Sequence, residues 1–296
     1  MSTINKVPAS AGAEWLLAGF ALLRKAPFAL ARLPILWGLA STLVVSLAAL
    51  TGTVAALYLA QFVLILAGPL FFGAMIFAVR EVDEGRPPLP SHLLQPLRAG
   101  HAGALIATLL PQVIAALALG VLLFVMIGTD QLEHLMDVFA KMQAITAAGG
   151  EPDPALVADL PAFRLLLWLM LVAVTFLAIK WMTFVAAPQI MFSGTDAMTA
   201  MRNSLRACAH NWTAMLVFYL LAGITIFSVT FGSLIVASLV QIFAGPTVGA
   251  ILWQLILLSV LTPVLSGAMY VAWRQMLLPQ SAGGTRAPTA TTHFEA

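Results

Sequence analysis

Apolar residues in this chain run together in long blocks rather than alternating or recurring once per helical turn. Leu33 to Val79 carries no Asp, Glu, Lys, Arg or His, and neither does Asn211 to Trp273. Ala102 to Thr129 is equally charge-free, and Leu165 to Phe192 is interrupted only by Lys180. A membrane-crossing helix takes about 20 mainly apolar residues, so the first and last blocks are each too long for one span. Thr51-Gly52-Thr53 and Ala244-Gly245-Pro246 are the strongest turn signals inside them. The pattern predicts six spans, at 33–51, 54–79, 102–128, 165–188, 212–240 and 248–273. A count of seven would divide the last block again near Gly232-Ser233, but a span tolerates glycine. Lipid offers no partner for backbone N–H and C=O groups, and the runs lack the short alternation of a barrel, so the spans are helices. Pro69, Pro111, Pro188 and Pro263 lie in or at the ends of spans and should kink or end them. The fold class is all-α: a polytopic transmembrane bundle of three hairpins with interfacial amphipathic helices.

Periodicity reappears between the blocks. Over 10–25, Trp15, Gly19, Leu22 and Ala26 share a face, with Leu16 and Leu23 beside it and Arg24 and Lys25 at the end. That is the pattern of a helix lying in the membrane interface. Over 195–208, Met198, Met201, Leu205 and Cys208 share a face, Arg202, Arg206 and His210 line the adjacent one, and Thr195 or Asp196 can cap the start. A weaker candidate, 91–99, is limited by Pro96. Each of the three precedes a span, so each hairpin is expected to be entered through a surface helix. In the loop 129–164, Leu132, Leu135, Met136, Phe139, Met142 and Ile145 fit one further amphipathic helix, ended by Gly149-Gly150. Residues 1–278 then form a single integral membrane domain, and 279–296, rich in Ala, Thr, Gly and Pro, a disordered cytoplasmic tail.

Composition narrows the class. The 296 residues are 61% hydrophobic and 9% charged, with a mean hydropathy of +0.99. Soluble domains carry about 25% charged residues, so a soluble globular fold is excluded. One cysteine and a net charge of +2 exclude a disulfide scaffold and a nucleic-acid binder. The charges also orient the chain. Lys6, Arg24, Lys25, Arg32, Arg80, Arg86, Arg98, Arg202, Arg206, Arg274 and Arg286 all fall on the side of the N-terminus, and acids gather in the opposite loop. Positive charge is retained in the cytoplasm during insertion, so both termini are expected there. No cleavable signal peptide is visible, and Cys208 should face the cytoplasm.

Two span ends echo one another. Residues 69–80 read PLFFGAMIFAVR and 263–274 read PVLSGAMYVAWR, sharing P-x3-G-A-M-x2-A-x-R. Pro69 and Pro263 relax the helices, with Gly73 and Gly267 a turn further on. Ala74/Ala78 and Ala268/Ala272 form small faces for close helix contact, and Arg80 and Arg274 are placed to snorkel to lipid phosphates. A duplicated hairpin is the favoured account over convergence.

Several polar landmarks fall in a familiar order: Val7-Pro8-Ala9, Gly12, Trp15-Leu16 and Gly19-Phe20; Arg80-x-x-Asp83-x-Gly85; Ser204-Leu205-Arg206-Ala207-Cys208 with Asn211-Trp212; and Pro263, Gly267 and Tyr270. Most of the chain, apart from the acidic loop and the tail, thereby resembles a family of uncharacterised multi-pass inner-membrane proteins of proteobacteria. The resemblance implies a bacterial inner-membrane location and no activity or catalytic residue.

Candidate chemistry is sparse. No Asp or Glu lies in a predicted span, which excludes an intramembrane aspartyl dyad. The five histidines are scattered, and no H-E-x-x-H, G-x-S-x-G, P-loop or dinucleotide fingerprint occurs. No enzyme activity, metal or cofactor is expected. Lys180 is the sharpest residue. It lies about 12 Å from Pro188 at 1.5 Å per residue, so it reads first as snorkelling to the inner interface and alternatively as an ion or substrate contact. Gln61, Gln112, Gln189, Gln241 and Gln254 suit interhelical hydrogen bonds. Most tryptophans suit an interfacial belt. Arg24, Lys25, Arg98, Arg202, Arg206 and His210 are candidates for contacts to anionic phospholipid. The leading expectation is a non-enzymatic scaffold or envelope assembly factor working through unknown protein partners. The alternatives are a transporter or channel for a small or lipidic solute, and an accessory subunit of lipid metabolism. A cavity sized for an amphiphile would favour transport; a solid bundle would favour the scaffold.

Overall fold

The computed structural model describes residues 4–151, 154–157 and 160–279 and is helical throughout, with no strand among them. The expected tail lies, from residue 280, outside the described residues. Six helical stretches are long and apolar enough to cross a membrane. α1 (Ala11–Lys25) leads into the hairpin α2 (Pro27–Leu50) and α3 (Val54–Asp83). A short turn of helix, Pro90–Leu94, and α4 (Gln95–Arg98) precede a middle hairpin. Its first arm is α5 (Ala102–Ala107) and α6 (Leu110–Ile127), its connection α7 (Thr129–Ala147), and its second arm α8 (Ala162–Thr183) and α9 (Ala186–Ser193). α10 (Ala197–His210) leads into the hairpin α11 (Trp212–Ala244) and α12 (Pro246–Leu277). The last apolar block is divided once. Gly245 turns the chain at φ 86°, a left-handed value that a side chain would resist, and Pro246 starts the next helix with the φ a helix needs.

Three repeated units close into a ring. The short helix that opens each unit packs chiefly on the hairpin of the unit before it: α1 on α11 and α12, the 90–98 segment on α3, and α10 on α8 and α9. The returning arms α3, α9 and α12 pack on one another at the centre. The two echoed segments are therefore neighbours, and Ala74, Ala78, Ala268 and Ala272 are fully buried there. Gly73 faces Leu105 of the next unit, as Gly267 faces α1.

α1 departs from the interfacial expectation. Its apolar face is covered by protein rather than left to lipid. Trp15 is fully buried and donates from Nε1 to Gln275 Oε1 at 2.7 Å, so it is not a belt residue. The reason is the small face. A Cβ at Gly12 or Gly19 would overlap the carbonyl oxygen of Ala214 or Val264, so only glycine lets the backbones meet. Asn5, ahead of the helix, donates to the carbonyls of Gln275 and Leu278.

α10 is likewise rotated from its expected face. Ala200, Met201, Ser204, Ala207 and Cys208 are buried, while Met198 is 65% exposed. Asp196 supplies the cap, accepting from Thr199 N–H at 3.0 Å, and that bond lowers its carboxyl pKa. Cys208 is closed off from solvent. It is buried, which pushes its thiol pKa up to about 12.

Candidate functional site

Both arms of the middle hairpin are interrupted. α5 ends at Ala107 and α6 resumes at Leu110; α8 ends at Thr183 and α9 resumes at Ala186. Each break falls in the turn just before a proline, Pro111 or Pro188, where the proline leaves a helix hydrogen bond unmade. The freed groups find side-chain partners. Thr108 Oγ1 donates to Leu105 O at 2.6 Å. Val185 N–H donates to Ser204 Oγ at 3.0 Å, and Ser204 Oγ donates to Trp181 O at 2.6 Å, so α10 staples the second break. Gln189 strengthens that junction, donating to Ala200 O and accepting from Asn203.

A cavity of about 340 Å³ lies against the two breaks. Gly68, Pro69 and Phe72 of α3 and Leu265 and Met269 of α12 make an apolar wall. Opposite stand Thr108, Gln112, Lys180, Thr183 and, from α11, Tyr219. The cavity is partly open. Beyond it, α6 packs on α8 and on α7, whereas α8 has no comparable packing on α11 or α12 and no buried residue.

Lys180 does not snorkel toward the basic end. Its Nζ lies 5.0 Å from the centroid of Phe176, one turn back along α8. Helical side chains tilt toward the helix N-terminus. The N-terminus of α8 points away from the basic end, so Lys180 is held at the level of the cavity. Tyr219 Oη is buried and has no hydrogen-bond partner.

A second polar cluster sits where α3, α9 and α12 converge. Arg274 Nη1 meets Asp83 Oδ2 at 2.5 Å, and Tyr270 Oη donates to the same oxygen at 3.2 Å. Arg80 Nε bonds Glu84 at 2.6 Å, and its guanidinium lies 4.7 Å from the Phe192 ring centroid. Arg80 and Arg86 hold the Glu84 carboxyl below its usual range. Arg80 and Arg274 are thus engaged by carboxylates and aromatic rings of the protein, not free to snorkel. The cluster is charge-balanced and ties the two echoed segments together.

Arg24, Lys25, Arg98, Arg202, Arg206 and His210 are all exposed, and they are distributed over α1, α4 and α10. None takes part in an ion pair among the described residues. Gln112 and Tyr219, the cavity's other polar groups, were not singled out together with Lys180 by sequence; the prolines after each break were the available signal. No protein-family model, curated protein or solved structure matches the chain.

Proposed function

We propose that this protein binds an amphiphilic, lipid-type solute between its helices and works as a carrier, or as an accessory factor in lipid handling, rather than as an enzyme or a solid scaffold. The observation that carries the reading is the partly open cavity built on two broken helices. In membrane carriers such breaks are found where they line a binding site. A volume of about 340 Å³ lies within the range of small-ligand pockets, about 300–1,000 Å³. A scaffold has no need of a cavity lined by a lysine, a tyrosine and a glutamine. The exposed cations on α1, α4 and α10 suit an anionic leaflet at the basic end. By the distribution of basic residues that end is cytoplasmic, in a bacterial inner membrane. Reporters fused after residues 145 and 296 should then report opposite sides.

Gly68 gives the test. It lines the cavity, and a Cβ added there meets nothing within 4 Å. Gly68→Leu brings a side chain into the cavity from a position where its Cβ meets no neighbour. Purification in native lipid followed by mass spectrometry should show a stoichiometric lipid retained by the wild type and lost in Gly68→Leu. Equal retention by both would remove the proposal.

A further inference from the structure

We infer that the cavity selects an amphiphile whose headgroup is anionic, a phosphate or a carboxylate, with Lys180 as its counter-ion. This rests on the reading of the cavity as an amphiphile site and adds the chemistry of its occupant. The first support is charge. An ionisable residue within a span is costly and is normally paired with an opposite charge. No Asp or Glu lines the cavity. The ion pairs of the described residues lie elsewhere, at Arg80–Glu84, Arg86–Glu81, Arg86–Glu84, Lys141–Asp137 and Arg274–Asp83. The acids at the end of α3 are thus already taken up by arginines, and the anion that Lys180 lacks comes from the occupant.

The second support is the hydrogen-bonding inventory. Lys180 brings an ammonium, a donor only; Tyr219 brings a hydroxyl with no partner; Gln112 brings an amide with two N–H groups. Thr108 and Thr183 already donate to the carbonyls of Leu105 and Ile179. The donors that remain match a group that only accepts, such as a phosphate or carboxylate. The third support is direction. Lys180 is exposed and lies back along α8 over the exposed ring of Phe176, away from the basic end, so a headgroup meets it at the level of the cavity rather than at the end of the helix. The cavity is too small to enclose a whole two-chain lipid. The cavity is partly open and apolar on one wall, so the chains can extend out of it past the unburied α8.

The test uses the full chain in nanodiscs of phosphatidylcholine doped with phosphatidylglycerol, with retained lipid counted by native mass spectrometry. Wild type should retain phosphatidylglycerol over phosphatidylcholine by about tenfold, the ratio that 1.4 kcal/mol of discrimination gives. Lys180→Met should abolish the preference yet keep a bound lipid, Lys180→Arg should keep the preference, and Tyr219→Phe should reduce it. Inorganic phosphate should not displace the lipid; displacement would identify a free anion as the ligand and overturn the amphiphile. Equal retention of the two lipids by wild type would overturn anion selection while leaving the cavity's occupancy intact. Retention unaffected by Gly68→Leu would instead overturn the underlying reading. Buried Cys208 should stay unreactive to maleimide in every folded variant, which separates lost binding from lost structure.

Discussion

The flanking hairpins and the middle hairpin contain the same disruptive residue and respond to it differently. α3 and α12 each carry an internal proline, Pro69 and Pro263, and run on unbroken through 30 and 32 residues. The middle arms break ahead of Pro111 and Pro188. Proline costs a helix the same hydrogen bond in each case. What differs is the surroundings. α12 is clasped by α1, α2, α3 and α11, and α3 packs on α2 and α12, so bending either would open buried contacts. In the middle arms the outer pieces are loose, α8 with no buried residue and α6 with only Ile127, while the second break at Phe184–Val185 and α9 are buried in the core, so the outer pieces can turn about fixed inner ends. The prolines whose helices are packed along their whole length are absorbed, those followed outward by a loose piece become breaks, and here the breaks coincide with the cavity.

The largest expected contrast comes from crowding each region with one side chain. Gly19→Leu forces α1 off the Val264 backbone and should destabilise the fold by roughly 3 kcal/mol or more. Gly120→Leu, on α6, where a Cβ meets nothing within 4 Å, should cost less than about 0.5 kcal/mol. Thermal unfolding followed by maleimide labelling of Cys208 measures both, and similar values would erase the distinction between the regions. Next in size is Ser204→Ala, which strips the staple from the break at Val185. Loss of a buried hydroxyl bonded on both sides should cost about 1–3 kcal/mol. Hydrogen exchange should speed up around Trp181–Ala186 and remain unchanged around Pro263; uniform acceleration would show that the break is not an independent unit. Asp83→Asn should cost only about 0.5 kcal/mol, because the Arg274 and Asp83 side chains are 49% and 27% exposed and water screens them. A larger loss would make that cluster a true clamp on the flanking pair.

The smallest effect is a pH dependence. Burial lowers the His92 pKa from its ordinary 6.5, with Arg32, Arg86 and Arg98 adding to the effect and Glu81 opposing it. His92 Nδ1 accepts from Leu89 N–H at 3.2 Å, so the folded state prefers neutral imidazole. That preference stabilises the 89–92 turn above pH 6.5 and is lost as pH falls below it. His92→Gln should flatten the slope of stability between pH 7 and 5, and an unchanged slope would assign it to other groups.

The six spans, their turns at Gly52 and Gly245 and the helical character of 10–25 and 195–208 were legible because hydropathy and turn chemistry are local. The seat of α1 was not. An apolar stripe reads the same whether lipid or protein covers it, and only the glycines at positions 12 and 19 hinted at a close protein neighbour. The face of α10 was misjudged because Ser204, Ala200 and Ala207 are small, and methionine outweighs them in any count of hydrophobicity. Lys180 lines the cavity with its Nζ over Phe176, an aim that its sequence position did not reveal. Distance to the interface suggested one direction, whereas the tilt of the Cα–Cβ bond set the other.

The seat of α1 also bears on biogenesis. α1 docks on α11 and α12, which follow it in the chain, with Asn5 and Trp15 hydrogen-bonded to the stretch at Gln275 and Leu278. During synthesis α1 must wait at the membrane with its glycine stripe uncovered until α12 has been inserted. Ring closure therefore waits for α12, and a nascent chain halted before it would leave that stripe without its cover.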